Sequence, residues 1–229
     1  MLDEVGEFSF DVAAAILFSV SSILSLITMP IGSAAMGRMP FPLESLAVFP
    51  VVQGLVFALR SLGFAYSEVV VALMDRDDAL RPLRRFAWQL ATGASAALLL
   101  VAATPLSVIW FERVSALDPD LSGLARRAIW LTVLFPATSV LQALFTGTLV
   151  NLHRTRGIME AVALHAATVS VLLLVAGPRS PWPGLYVTLA ATLAAYLVQV
   201  IWLARRAAAA LAASAVPPAM AADSGSPVG

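Results

Sequence analysis

The sequence predicts an all-α, polytopic membrane protein with six transmembrane helices. Three features point to it. Apolar residues fill 60% of the 229 positions and charged residues only 12%, with a mean hydropathy of +0.89; a soluble globular domain carries about 25% charged residues. Apolar segments of about 20 residues, enough to cross a hydrocarbon core of about 30 Å, can be laid along the chain six times. All five tryptophans fall at the ends of those segments, at the level where an indole ring is half in lipid and its N–H stays wet.

The first segment runs from about Val12 to Met36 and is interrupted by Pro30. The second, about Leu43 to Met74, would be about 48 Å long as one helix. It must tilt, protrude or bend near Gly63, with Pro50 and Gly54 as further points of give. The third spans about Phe86 to Trp110, opened by Trp88 and closed by Trp110. The fourth, about Ala128 to Val150, has Trp130 near its start. The fifth covers about Ile158 to Val175. The sixth covers about Leu185 to Ala204, with Trp182 before it and Trp202 near its end. Three regions follow: an acidic, cytoplasmic N-terminus over 1–11, a six-helix lobe over 12–206, and a low-complexity tail over 207–229 whose composition predicts disorder.

Charge narrows the function classes. Net charge is zero, so no nucleic-acid partner is expected, and all fourteen basic residues are arginine. The absence of cysteine excludes disulfides, zinc–thiolate sites and cysteine nucleophiles. The stretch "MLDEVGEFSFD" has no basic region of the kind that opens a secretory signal. Eight arginines (76, 81, 84, 85, 154, 156, 205 and 206) fall on one side of the six-helix arrangement, and five (38, 113, 126, 127 and 179) on the other. The arginine-rich side is cytoplasmic by the positive-inside rule, which places both termini inside. The expected location is a bacterial inner membrane.

Arg60 is left over, inside the second segment. An arginine in the bilayer costs at least about 2.5–3.5 kcal/mol on insertion scales and normally faces a cavity or a partner. Gln53 lies seven residues before it, on the same helical face, and Glu68 eight residues after it, roughly 80° further round. With Tyr66 these form a polar stripe, the expected substrate-binding residues. Three readings compete: an anion-binding cavity residue, a structural ion pair with Glu68 or another helix, and a side chain that snorkels to an interface. Glu160 and His165 open the fifth segment roughly 140° apart. Both are candidates for proton coupling, against the plainer reading of His165 as an interhelical donor. Asn151, His153, Arg154 and Arg156 read as an ordinary cytoplasmic turn.

"TGASA" at 92–96 places Ser95 inside a helix, an arrangement similar in outline to rhomboid-type intramembrane proteases, with His165 as the downstream histidine. No histidine–asparagine pair stands in the second helix to support it. Gly93 and Ala97 equally form a small-residue packing pair. No Walker A motif, dinucleotide fingerprint or metal-ligand cluster occurs, so no enzyme, cofactor or metal is expected.

Three longer stretches carry a family likeness: "FSFDVAAAILFSVSSILSLITMPIGSAAMGRM", "AVFPVVQGLVFALRSLGFAY" and "FPATSVLQALFTGTLVNLHRTRGIMEA". Over about residues 8–206 the chain resembles the C-terminal six-helix half of the multidrug/oligosaccharidyl-lipid/polysaccharide (MOP) flippase superfamily. That superfamily includes the MATE exporters, and the likeness is greatest to the progressive ankylosis (ANK) proteins. The resemblance implies one lobe of a two-lobed transporter that exports or flips an organic, anionic or amphipathic solute, small or lipid-linked, by alternating access. It also implies a facing lobe, from a second copy as a homodimer or from a separate N-terminal lobe. Two alternatives stand beside it: a non-transporting membrane scaffold or remnant of a twelve-helix transporter, and an intramembrane serine protease.

Overall fold

In the computed structural model, residues 30–74, 76 and 79–214 are described. They are helical almost throughout and contain no strand. The first expected span lies outside the described residues except for its last turns, where residues 30–36 are helical. The remaining helices are α1 (Pro42–Leu73), α2 (Leu80–Ala103), α3 (Pro119–Ala128), α4 (Phe135–Asn151), α5 (Arg156–Ala176) and α6 (Gly184–Ser214). A short helix Leu106–Val108 and a π-helical turn Ile109–Val114 join α2 to α3, and a 3₁₀ turn Ile129–Thr132 joins α3 to α4. Because α3 runs on into α4, the described residues offer five stretches long and apolar enough to cross a membrane: α1, α2, Pro119–Asn151, α5 and α6.

Their apolar residues point outward as well as inward. Leu43 is 79% exposed and Leu174 73%, and only 22% of the most apolar window of α5 is buried. Such surfaces suit lipid and not water. The chain is a multi-pass membrane protein.

Element ends follow local chemistry. α2 stops at Ala103 rather than near Trp110 because Pro105 pushes the residue before it out of the helical region; Thr104 is extended, at φ −113° and ψ 168°. α4 closes in a Schellman arrangement. His153 is left-handed at φ 55°, the Arg154 N–H donates to the Leu149 carbonyl at 2.8 Å, and the His153 N–H donates to Val150 at 2.9 Å. α6 continues through Ala207–Ser214, beyond the Arg206 boundary expected from composition. The added residues are mostly alanine, the strongest helix former. Residues 1–11 and 215–229, where the N-terminal region and the rest of the tail were expected, lie outside the described residues.

α1 runs unbroken through Pro50, Gly54 and Gly63, about 48 Å at 1.5 Å per residue. Gly63 serves contact. A Cβ built on it would lie 2.3 Å from Ser139 Oγ and 2.8 Å from the Ser139 carbonyl carbon, and one built on Gly147 would lie 2.4 Å from Val70 Cγ1. α1 and α4 therefore cross at two points where only hydrogen fits. Tyr66 anchors the same corner to α2 by donating to the Leu83 carbonyl at 2.8 Å.

The two ends of the bundle are tied separately. At one end, the Gly184 N–H donates to the Pro40 carbonyl and the Leu185 N–H to Ser45 Oγ at 3.2 Å. These bonds satisfy free donors of the first turn of α6. At the other end, Glu160 of α5 pairs with Arg206 of α6. The last turns of α1 meet the start of α2 through Tyr66 and Leu83 and the end of α4 through Val70 and Gly147, so Arg81, Arg84 and Arg85 share that second end with Arg154, Arg156, Arg205 and Arg206.

Gly63→Ala is expected to destabilise the protein by about 1–3 kcal/mol, the usual cost of overpacking. Gly54→Ala, where a Cβ meets nothing within 4 Å, is expected to be neutral or stabilising by roughly 0.5–1 kcal/mol. Thermal unfolding of the two variants in detergent checks the contrast.

Candidate functional site

A cavity of about 350 Å³ opens between α1, α4, α5, α6 and the helical residues 30–36, which contribute Gly32. Larger cavities of about 680, 550 and 450 Å³ are lined mainly by apolar side chains, and one of about 490 Å³ lies among the arginines at the Arg154 and Arg206 end. Arg60 sits in the wall of the cavity of about 350 Å³.

Arg60 is half-buried and held from two sides. Its Nη1 donates to Tyr196 Oη at 2.7 Å, and its guanidinium carbon stands 4.5 Å from the centre of the Tyr196 ring, within cation–π range. Its backbone carbonyl accepts from Ser139 Oγ at 3.1 Å. That bond is possible because Gly63 lets α4 approach. Tyr196 is itself wedged, edge-on to Phe135 at 5.4 Å and tilted against His165 at 4.6 Å. One aromatic residue on α6 thus couples the arginine of α1 to the histidine of α5.

Gln53 and His165 line the same cavity. The seven-residue spacing that put Gln53 and Arg60 on one face is realised, and His165 joins them from another helix. Arg60 Nε, His165 Nδ1 and Thr188 Oγ1 are all buried without a hydrogen-bond partner, and all three residues line this cavity. Buried polar atoms are otherwise almost always paired. A guest here meets a guanidinium N–H donor, a hydroxyl able to give or accept, and an imidazole nitrogen whose role depends on its tautomer. Among the described lining residues there is no carboxylate. The described lining carries one guanidinium, one imidazole and otherwise amides, hydroxyls and aromatic and aliphatic faces, an arrangement suited to an anionic group.

The other stripe residues lie elsewhere. Tyr66 is 2% exposed and is spent on the α1–α2 contact. Glu68 is exposed on the surface of α1, and among the described residues no carboxylate pairs with Arg60. The roughly 80° offset to Glu68 is enough to carry it off the face. Glu160 bridges Arg156 at 3.3 Å and Arg206, apart from His165 as the spacing indicates. Arg60 does not snorkel, since its charged head rests on Tyr196. Ser95 Oγ is buried with no hydrogen-bond partner, so no serine–histidine pair is assembled. Gly93 and Ala97 are exposed, and a Cβ on Gly93 would meet nothing within 4 Å; that pair packs against no described helix.

Sequence reasoning missed Gln142, Thr188, Tyr196 and Gln199, which complete the wall. Gln142 and Gln199 carried the same signal as Gln53, an amide inside an apolar span. Thr188 and Tyr196 carried none, since both residue types are common in such helices.

No known protein family, curated protein or solved structure matches the chain.

Because Glu68 is exposed and unpaired with Arg60, Glu68→Gln is expected to change unfolding free energy by less than about 0.5 kcal/mol. A larger loss, measured by thermal unfolding, would restore the ion-pair reading.

Proposed function

We propose that this chain is a lobe of a membrane transporter that moves an organic anion or anionic amphiphile by alternating access, with Arg60 as the contact to the anionic group. The carrying observation is the cavity itself: one guanidinium, no described carboxylate, and three buried polar atoms without partners around about 350 Å³. A guanidinium stays charged at any working pH and can fork onto a carboxylate or phosphate. His165, in ring contact with Tyr196, is the residue through which a proton could be coupled to Arg60; Glu160 is committed to its arginines.

The likeness to the MOP superfamily and the ANK proteins supports the same reading and adds a facing lobe, supplied by a second copy or by a separate N-terminal lobe. Transporter sites of this kind lie between two repeats that rock against each other. The membrane is a bacterial inner membrane, with the Arg154 and Arg206 end of the bundle in the cytoplasm.

A scaffold reading also has an observation in its favour, because Arg60 is already paired with Tyr196. Flux separates the two. Purified protein in proteoliposomes is assayed with a panel of labelled carboxylates and organic phosphates. Arg60→Gln is expected to insert and fold, since it removes a costly charge, and to lower anion flux about tenfold or more, the equivalent of a charged hydrogen bond. Arg60→Lys is expected to recover part of it, offering a point charge without the planar fork. Wild-type flux in Arg60→Gln would overturn the transport role of Arg60. Flux from a demonstrably monomeric reconstituted chain would remove the need for a facing lobe.

A further inference from the structure

A second polar groove, of about 490 Å³, lies at the opposite end of α5 and α6 from the Ser45–Leu185 tie. Arg154, Arg156 and Arg206 line it together with Glu160. Three guanidinium groups against one carboxylate leave it positively charged. Glu160 bonds Arg156 from its own helix and Arg206 from the neighbouring one, so two of the three cations are held at a fixed spacing. Arg154 is exposed and pairs with no carboxylate among the described residues.

The rest of the groove is different in kind. Ala209 and Ala213, on the final turns of α6, give it an apolar wall. The Arg206 guanidinium lies 5.0 Å from the centre of the Trp202 ring, whose indole nitrogen is buried without a hydrogen-bond partner; the ring packs at the last apolar turn before Arg205 and Arg206. The groove therefore sits where the apolar part of α6 gives way to arginine, cationic on one side and apolar on the other.

We infer that this groove binds the phosphate of an anionic phospholipid headgroup, with Arg154 and Arg206 as its main contacts. A free phosphate would use the same cations without the hold that acyl chains take in the bilayer beside the apolar turns of α6. Basic pockets between spanning helices near the membrane surface recognise lipid headgroups in this way. The inference is independent of the Arg60 cavity.

The test is lipid retention by purified protein, read by native mass spectrometry after exchange into mixed micelles of phosphatidylglycerol and phosphatidylcholine. Wild type is expected to retain phosphatidylglycerol over phosphatidylcholine at least tenfold. Arg154→Gln, which leaves both ion pairs of Glu160 intact, is expected to lower that ratio several-fold, and Arg154→Gln with Arg206→Gln to abolish it. Millimolar inorganic phosphate is expected to leave the bound lipid in place. Unchanged selectivity in Arg154→Gln and in the double variant would overturn the site. Displacement of the lipid by inorganic phosphate would overturn the lipid as its occupant in favour of a free phosphate.

Discussion

The close crossing of α1 and α4 is the constraint on which the rest of the site depends. In a bilayer, lipid tails are as apolar as leucine, so helices are held together by packing and polar contacts rather than by exclusion of water. Gly63 and Gly147 remove the two side chains that would keep these helices apart. The approach brings Ser139 Oγ within 3.1 Å of the Arg60 carbonyl and seats Val70 against Gly147. Arg60 is thereby fixed at the backbone, before its side chain meets anything. From that point its guanidinium reaches Tyr196 on α6, and Tyr196 in turn touches His165. Four helices are linked through one serine hydroxyl and one tyrosine ring.

A charge inside a lipid-facing bundle is expensive, and this one is only partly compensated. The Tyr196 hydroxyl and ring satisfy one edge and one face of the guanidinium, while Nε remains without a partner. A purely structural arginine would be expected to find a carboxylate, which neutralises the charge as well as accepting a bond. Among the described residues the nearest acidic candidate in the helix, Glu68, is on the outer surface, and no carboxylate takes the charge. This incomplete pairing among the described residues supports the proposed reading of the site as one that receives an anion.

Much of this was legible in the sequence. Spacing alone joined Gln53 to Arg60, because both residues lie on one helix and a seven-residue interval nearly closes two turns. The same arithmetic separated Glu160 from His165. It failed for Tyr66 and Glu68, where a stripe was drawn across an arc wide enough to include both the buried face and the lipid-facing one. Helical periodicity reports which residues share a face and is silent on which neighbour that face meets. Tyr196 lies 136 residues from Arg60, and no local pattern marks it. The breakers carry a related ambiguity. Gly63 in a long helix reads equally as a bend or as a contact, and only the position of Ser139 decides between them.

The two arginine sites illustrate how surroundings, rather than residue type, assign a role. Arg206 and Arg156 share Glu160, and their chain segment reaches the end of the apolar stretch, so water and headgroups are at hand and the cost of charge is small. Arg60 has no such outlet. With low-dielectric walls and few competing partners, a ligand that brought a negative charge would meet an interaction far less screened than one at the surface. The same depth makes release harder. A cavity that binds an anion this way must be opened or its cation re-paired before the anion can leave, and Tyr196 is already placed to take the guanidinium back. In the proposed transport cycle the tyrosine would do for the empty site what an anion would do for the filled one, so the charge need never stand wholly unpaired.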